Sequence, residues 1–371
     1  MRTDLFDYVL PPERIAQRPT TERDGARLLV LDRGTTQHWM IKQWAELVPP
    51  GALVVLNDSR VLKARLECRK VGGSTSLTAS GGNVGGGRVE LLFLQPDSSA
   101  QGQAAGVELW QALGHANRPL REGTELRVPG ERARLRIVGR LEQGVLLVQV
   151  EHAAGVLDLL QRVGQVPLPP YVERAPDAAD VDRYQTVFAA HDGSVAAPTA
   201  GLHLTTGMMD RLRQRDVQIA RVTLHVGVGT FRPVSVDDLD QHPMHEELID
   251  VSPEVVQQVA ATRRQGRPVV AVGTTVVRAL ESAAAGGELS AMRGPTRLLI
   301  QPGYQFRVVD ALLTNFHAPR STLLALVSAF AGVEVVRSAY QQALHDGYRF
   351  LSYGDAMWLP RRADSKESAP Q

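Results

Sequence analysis

The sequence predicts an α/β domain, a mixed sheet with flanking helices, carrying an inserted small antiparallel β-barrel domain. Three observations predict it. Short apolar runs that end in polar residues alternate with helix-spaced segments over the first 62 residues, and that texture returns from residue 153. Between them, short strand-like runs recur at even spacing with turn residues in between, as in a small barrel. At 371 residues the chain is also too long for one comfortable core. The division expected is therefore a discontinuous α/β catalytic domain over 1–62 and 153–371, ending in a polar tail at 361–371, and an inserted barrel over 63–152.

The elements follow in order. "RLLVLD" (27–32) reads as a buried strand, and "IKQWAELV" (41–48) has helical spacing ended by Pro49, Pro50 and Gly51. "ALVVLNDSR" (52–60) is a second buried strand running into Asn57, Asp58, Ser59 and Arg60, the polar strand end where α/β ligands sit. Residues 71–88 form a Gly/Ser tract that cannot bury a core and reads as a flexible loop. "RVELLFL", "GVELWQAL", "RARLRIVGRL" and "GVLLVQVE" supply the barrel strands. "AGVLDLLQRVG" is a helix ended by Gly164. Strands follow at "QIARVTLHV" (218–226), "RPVVAVGTT" (267–275) and "ALLTNFH" (311–317). The second of these meets "TVVRALESAA", read as a helix with a Thr cap, and the third precedes a helix from Ser321.

Composition excludes several classes. A net charge of +1 announces no global nucleic-acid field, although a local basic face can hide in a neutral total. Cys68 is the one cysteine, so an intrachain disulfide and a multi-cysteine zinc site are both out. The charged start, with prolines at 11 and 12, is no signal peptide. "STLLALVSAFAGVEVV" (321–336) falls short of the ~20 residues that span a bilayer and reads as a buried helix. A soluble, cytoplasmic protein is expected, and, with no heptad seam, a monomer.

Several strand ends share one chemistry. Gly227, Gly229 and Thr230 follow one strand, Gly273, Thr274 and Thr275 another, and His317 and Arg320 a third. Thr199 and Gly201 lie beside His203 in "GSVAAPTAGLHLTT" (193–206). A strand, a glycine, a hydroxyl and a helix start together offer backbone N–H groups to an anion or a ribose. The spacing matches neither Walker A nor G-x-G-x-x-G, so both fingerprints are rejected. His203, His225, His245 and His317 show no metal-ligand spacing, and for each a core ring with satisfied nitrogens competes with a chemical role. Arg174 and Arg183 among Tyr171, Tyr184 and Phe188 suit looped RNA, or equally a proline-rich connection packed by its aromatics.

As a set, "LVVLNDSRVLKARL", "PLPPYVER", "DRYQTVFA", "GSVAAPTAGLHLT", "TLHVGVGTFRPV", "HPMHEE", "VVAVGTTVVRALES", "LLTNFHAPRSTLLALVSAFAG" and "YRFLSYGDAMWL" resemble the S-adenosylmethionine:tRNA ribosyltransferase-isomerase family of queuosine biosynthesis. The resemblance runs in order from residue 4 to about 360. Its departures are Leu204 where Phe is expected, Val276 where Ser is usual, and Arg320 where Lys is usual. It implies an α/β domain with an inserted barrel. The substrates implied are S-adenosylmethionine and a tRNA carrying 7-aminomethyl-7-deazaguanine at the wobble position of a GUN-type anticodon. The products implied are epoxyqueuosine-tRNA, adenine and methionine, with no metal and no membrane.

That reaction needs a base for the acidic C–H beside the sulfonium and a desolvated amine as nucleophile. His203 and His225 lead as bases, with Glu246, Glu247 and Asp58 as carboxylate competitors; Asp58 or Glu247 could also accept the N–H groups of the guanine-like base. Thr199 and Gly201, Gly227, Gly229 and Thr230, and Gly273, Thr274 and Thr275 would cradle the cofactor. Arg278, one turn into the next helix, would pair its carboxylate. Arg60, Arg183, Arg232 and Arg320 would hold phosphates. A metal hydrolase built on the scattered histidines and a non-catalytic RNA-binding adaptor are the competing classes.

Overall fold

The computed structural model describes residues 1–32, 35–71, 86–97, 106–227, 229 and 234–360. Most of the Gly/Ser tract and the polar tail therefore lie outside the described residues. The first elements are β1 (Arg27–Asp32), β2 (Thr35–Met40), α1 (Trp44–Leu47), β3 (Leu53–Asn57) and β4 (Ser59–Val61). Then come β5 (Arg65–Lys70), β6 (Arg88–Pro96), β7 (Val107–Ala116), β8 (Glu125–Arg127), β9 (Arg134–Arg140), β10 (Leu146–Glu151) and α2 (Gly155–Val163). The middle of the chain holds α3 (Ala178–Arg183), β11 (His191–Ser194), α4 (Thr206–Arg213), β12 (Gln218–Leu224), β13 (Glu247–Val251) and α5 (Pro253–Arg264). The last elements are β14 (Val269–Val272), α6 (Thr274–Ala283), β15 (Met292–Thr296), β16 (Ala311–Asn315), α7 (Thr322–Ala331), α8 (Val333–His345) and β17 (Ala356–Pro360). They form two compact units, one over 1–60, 168–191 and 196–371, the other over 61–167 and 192–195.

The α/β unit is built on a nine-stranded sheet in the order β15-β13-β12-β3-β14-β16-β17-β1-β2. At its centre β12, β3, β14 and β16 run parallel, so their carboxyl ends share one edge. β13 and β15 extend it antiparallel on one side, and β17 pairs antiparallel with β16 on the other. Within β3, Leu53 and Val55 pack with Val276, Leu280 and Leu324. Val54 and Leu56 face the other way, among Trp44, Met208 and Trp358. Both faces of the sheet are covered, which is why β3 reads as an uninterrupted apolar run rather than an alternating one.

Two helix readings are corrected. The cap of α6 is Gly273, at φ 94°, with no side-chain cap bond, so the Thr cap is replaced by a backbone turn suited to glycine. The apolar run at 321–336 is two helices: Gly332, at φ 97°, ends α7 and starts α8, and the pair bends by 113°. Ser321 does cap α7, its Oγ accepting from the Leu324 amide at 3.2 Å. Among the described residues no single helix is long and apolar enough to cross a membrane.

The second unit is a closed barrel in the order β10-β7-β6-β5-β8-β9, antiparallel throughout. Inward residues alternate along each strand, as with Leu66 and Cys68 on β5 and Leu135 and Ile137 on β9, and fill the interior. α2 belongs to this unit; its Val156 amide donates to Glu108 Oε1 at 2.8 Å, and Val156, Leu159 and Leu160 are buried.

Candidate active site

The shared edge of the parallel strands opens into a cleft of about 320 Å³. Its walls come from 196–200, the turn Gly273–Thr275 with Arg278, the stretch 314–319 after β16, and Tyr171, Leu351 and Ser352. Gly273 donates its N–H to the Leu313 carbonyl at 2.8 Å, tying the end of β14 to β16. Thr274 and Thr275 then open α6, and as its first two residues their amides have no acceptor within the helix, an arrangement that suits an anion. Most of the remaining lining is apolar: Ala196, Ala197, Pro198, Val226, Phe316 and Leu351.

Two polar groups of this wall have hydrogen-bonding capacity to spare. Arg278, 7% exposed, makes an ion pair through Nη1 with Glu247 Oε2 and donates from Nε to the Leu298 carbonyl at 3.1 Å. Its Nη2 is buried with no hydrogen-bond partner. Glu247 also accepts from the Gly227 amide at 3.1 Å, so the carboxylate joins the end of β12 to α6. Asn315 donates from Nδ2 to the Leu351 carbonyl at 3.2 Å and lies 3.3 Å from His203 Nε2, while its buried Oδ1 has no partner. Buried polar atoms are seldom left unpaired in a finished interior, and both of these belong to residues that line the cleft.

His203 and His317 are neutral at ordinary pH. Burial, with help from Arg349 and Arg23, lowers His203 to about 4; burial alone lowers His317 to about 3. His317 lines the cleft, with Nε2 2.9 Å from Thr314 Oγ1. His203 sits behind the wall, against Asn315.

A second cluster surrounds the end of β3. Asn57 donates from Nδ2 to the Leu224 carbonyl at 2.9 Å and to Thr275 Oγ1 at 3.2 Å, and its Oδ1 accepts from the Leu224 and Ser59 amides at 3.0 and 3.1 Å. It clamps β3 to β12 and to the first turn of α6. On the other side, buried Asp58 accepts from Thr223 Oγ1 at 2.8 Å and lies 3.7 Å from His191 Nε2. His225, half-buried, has Nδ1 2.8 Å from Ser59 Oγ.

Of the residues singled out in the sequence, Thr199, Gly273, Thr274, Thr275 and Arg278 line the cleft together. Glu247, Gly227 and His203 stand one layer behind it. Gly201 packs instead against Phe188 and Thr186, where a Cβ would come within 2.8 and 3.0 Å; Gly229 packs against the His245 ring. Glu246 is exposed and pairs with Arg297 at 3.2 Å. Arg183 donates to the carbonyls of Thr21 and Thr20 at 2.9 and 2.7 Å, Arg60 donates to the Ala189 carbonyl at 2.9 Å, and Arg320 lies 3.6 Å from Asp7. Thr230 and Arg232 lie outside the described residues. Among the described residues no group of three or more His, Cys, Asp or Glu side chains is placed to hold a metal ion. Sequence reasoning missed Asn315 and Ser352, and read Tyr171 as an aromatic of an RNA-binding or packed connection rather than as part of the cleft. Asn315 carried the signal used for Asn57: a polar residue closing a fully buried strand.

The chain is similar to proteins of known family over nearly its whole length. Residues 3–359 match the model of a family described as queuosine biosynthesis protein. A relative from Sorangium cellulosum, named S-adenosylmethionine:tRNA ribosyltransferase-isomerase, is 50% identical, the alignment covering 97% of this chain and 98% of that protein. One of the same name from Anaeromyxobacter dehalogenans is 47% identical over 98% of this chain and its own full length. The crystal structure of S-adenosylmethionine tRNA ribosyltransferase from Thermotoga maritima matches at 34% identity and a TM-score of 0.52, covering 95% of this chain and 99% of that one.

Proposed function

Because the chain belongs to the S-adenosylmethionine:tRNA ribosyltransferase-isomerase family of queuosine biosynthesis, we propose that its cleft holds S-adenosylmethionine and passes the ribosyl part to 7-aminomethyl-7-deazaguanine at the wobble position of a GUN-type tRNA. The products are epoxyqueuosine-tRNA, adenine and methionine. The observation that carries this reading is Arg278, a buried arginine that lines the cleft and whose Nη2 has no hydrogen-bond partner. A substrate carboxylate there receives a charge-assisted hydrogen bond inside an apolar surround, where such a bond is worth most. Glu247 keeps the guanidinium in place from behind. Thr274 and Thr275 offer hydroxyls and first-turn amides to ribose oxygens, and the apolar walls at 196–198 and Phe316 exclude water from the sulfonium carbon.

The reaction begins with removal of the proton on the carbon beside sulfur, followed by expulsion of adenine. His203 and His317, lowered to about 4 and about 3, are weak bases, and His203 acts as a positioning group for Asn315. The base is His225, whose neighbour Val226 lines the cleft and whose ring is oriented by Ser59. With Nδ1–H donating to Ser59 Oγ, the lone pair sits on Nε2. Asp58, held by Thr223, accepts the N–H groups of the deazaguanine ring.

The test is adenine release from S-adenosylmethionine with precursor tRNA. His225→Ala is expected to lower kcat by about 10²- to 10⁴-fold, the usual range for a lost general base, with S-adenosylmethionine affinity kept. Wild-type protein that binds tRNA yet releases no adenine would indicate an adaptor instead; near-normal release by the variant would remove His225 from the mechanism.

A further inference from the structure

We propose that the outer face of the barrel across β6, β5, β8 and β9 is a docking surface for the phosphate backbone of RNA. This rests on the reading that the substrate is a tRNA. The strand register pairs Arg88 with Arg69, Arg69 with Arg127, and Arg127 with Arg134. Four arginines thus stand in one unbroken cross-strand row, and all four are exposed. Arg136 continues the same face along β9.

Directly opposed side chains in an antiparallel pair have Cβ atoms about 4.5–5.5 Å apart, and like charges at that spacing destabilise a sheet. The acidic neighbours offset the ends of the row and leave Arg69 and Arg127, at its middle, opposed only by arginines. Glu67 pairs with Arg88, Glu125 stands opposite Arg136, and Glu151 stands opposite Arg134. Among the described residues Arg69, Arg127 and Arg134 make neither an ion pair nor a side-chain hydrogen bond. A barrel built for stability alone would alternate the signs. With strands about 4.8 Å apart the row extends roughly 14 Å, the reach of about four phosphates at 3.4 Å of rise per strand. The strand segment "RARLRIVGRL" already shows the device: apolar residues point into the barrel and arginines out.

The experiment is binding of a cognate tRNA transcript to the full chain, followed by fluorescence anisotropy across a salt series. Relative to wild type, R69Q/R127Q/R134Q should bind more weakly and show a log Kobs against log salt slope shallower by about 2 to 3, the counterion release of three phosphate contacts. Its KM for tRNA should rise while kcat is kept, and its melting temperature should hold or rise as the repulsion is relieved. R69K/R127K/R134K should recover most of the slope, and Arg162→Gln, which removes an arginine paired with Glu131, should leave it unchanged. An unaltered slope in the triple Gln variant, with wild type binding normally, overturns the docking surface alone. Failure of wild type to bind tRNA overturns the functional reading, and this inference with it.

Discussion

Two arginine–carboxylate pairs in the α/β unit can be set side by side, one with a half-buried arginine and one buried throughout. Asp180 accepts from both Arg174 terminal nitrogens at 2.6 and 2.7 Å, from the Asp177 amide at 2.8 Å and from Tyr353 OH at 2.8 Å. Arg174 spends Nε on the Gln17 carbonyl at 2.9 Å and shares Nη1 with the Ala175 carbonyl at 3.1 Å. All three guanidinium nitrogens and both carboxylate oxygens are bonded, and the network ties the N-terminal segment to the connection before α3. In the Arg278–Glu247 pair the arginine is the more deeply buried, and although Arg278 lines the cleft its buried Nη2 has no hydrogen-bond partner. The same residue types therefore do two jobs. A closed set of bonds makes scaffold; an open one, on the reading proposed above, is kept for the substrate.

Replacing one partner separates the two most strongly. Asp180→Ala removes the buried carboxylate that Arg174, the Asp177 amide and Tyr353 all donate to and is expected to cost about 1.5–3 kcal/mol in a urea melt, with adenine release per folded molecule unchanged. If activity fell and stability held, the assignment of that pair to scaffold would be reversed.

The two regions also respond to acid in different windows. Burial works against the Asp180 carboxylate, but the bonds from Arg174, Asp177 and Tyr353 outweigh it and hold it at about 2. Its contribution is complete above pH ~3.8 and is lost as the pH falls through about 2, some 2 kcal/mol in all. His203, lowered from 6.5 to about 4, is neutral when folded, so the unfolded chain takes up the proton first as pH drops. Stability is then complete above about 6.5 and declines toward pH 4, by about 3 kcal/mol from this one ring. Denaturant midpoints of wild type and His203→Gln against pH should converge at acid pH; parallel curves would remove His203 from the explanation.

Smaller effects sharpen the contrast. Arg278→Lys keeps a charge for Glu247 but loses the second terminal nitrogen, so KM for S-adenosylmethionine should rise about 10- to 100-fold, the value of one charge-assisted bond. Its cost in folding should stay near ~1 kcal/mol. Tyr353→Phe should cost about 1 kcal/mol of stability and nothing in kinetics; a kinetic effect there would blur the distinction.

The sheet was legible because burial on both faces writes unbroken apolar runs, and its cleft edge because Asn57–Ser59 and Gly273–Thr275 are polar or small just where those runs stop. Glu247 and Glu246 look alike as letters. Strand alternation separates them, since Glu247, Ile249 and Val251 point inward. Gly201 and Gly229 misled because a glycine that makes room for a ring, Phe188 or His245, looks like one that makes room for a ligand. Arg183 carried no local sign of its duty, because Thr20 and Thr21 lie 163 and 162 positions away. Asn315 was passed over although it closes β16 as Asn57 closes β3.

The most direct measurement is calorimetric binding of S-adenosylmethionine and of its decarboxylated analogue to wild type and to Arg278→Lys. Wild type should prefer the carboxylated molecule by about 10- to 100-fold, and the variant should lose most of that preference, a coupling that isolates the one contact. The same preference in both proteins would show that the carboxylate lies elsewhere, and that the open pair at Arg278 is not the substrate's anchor.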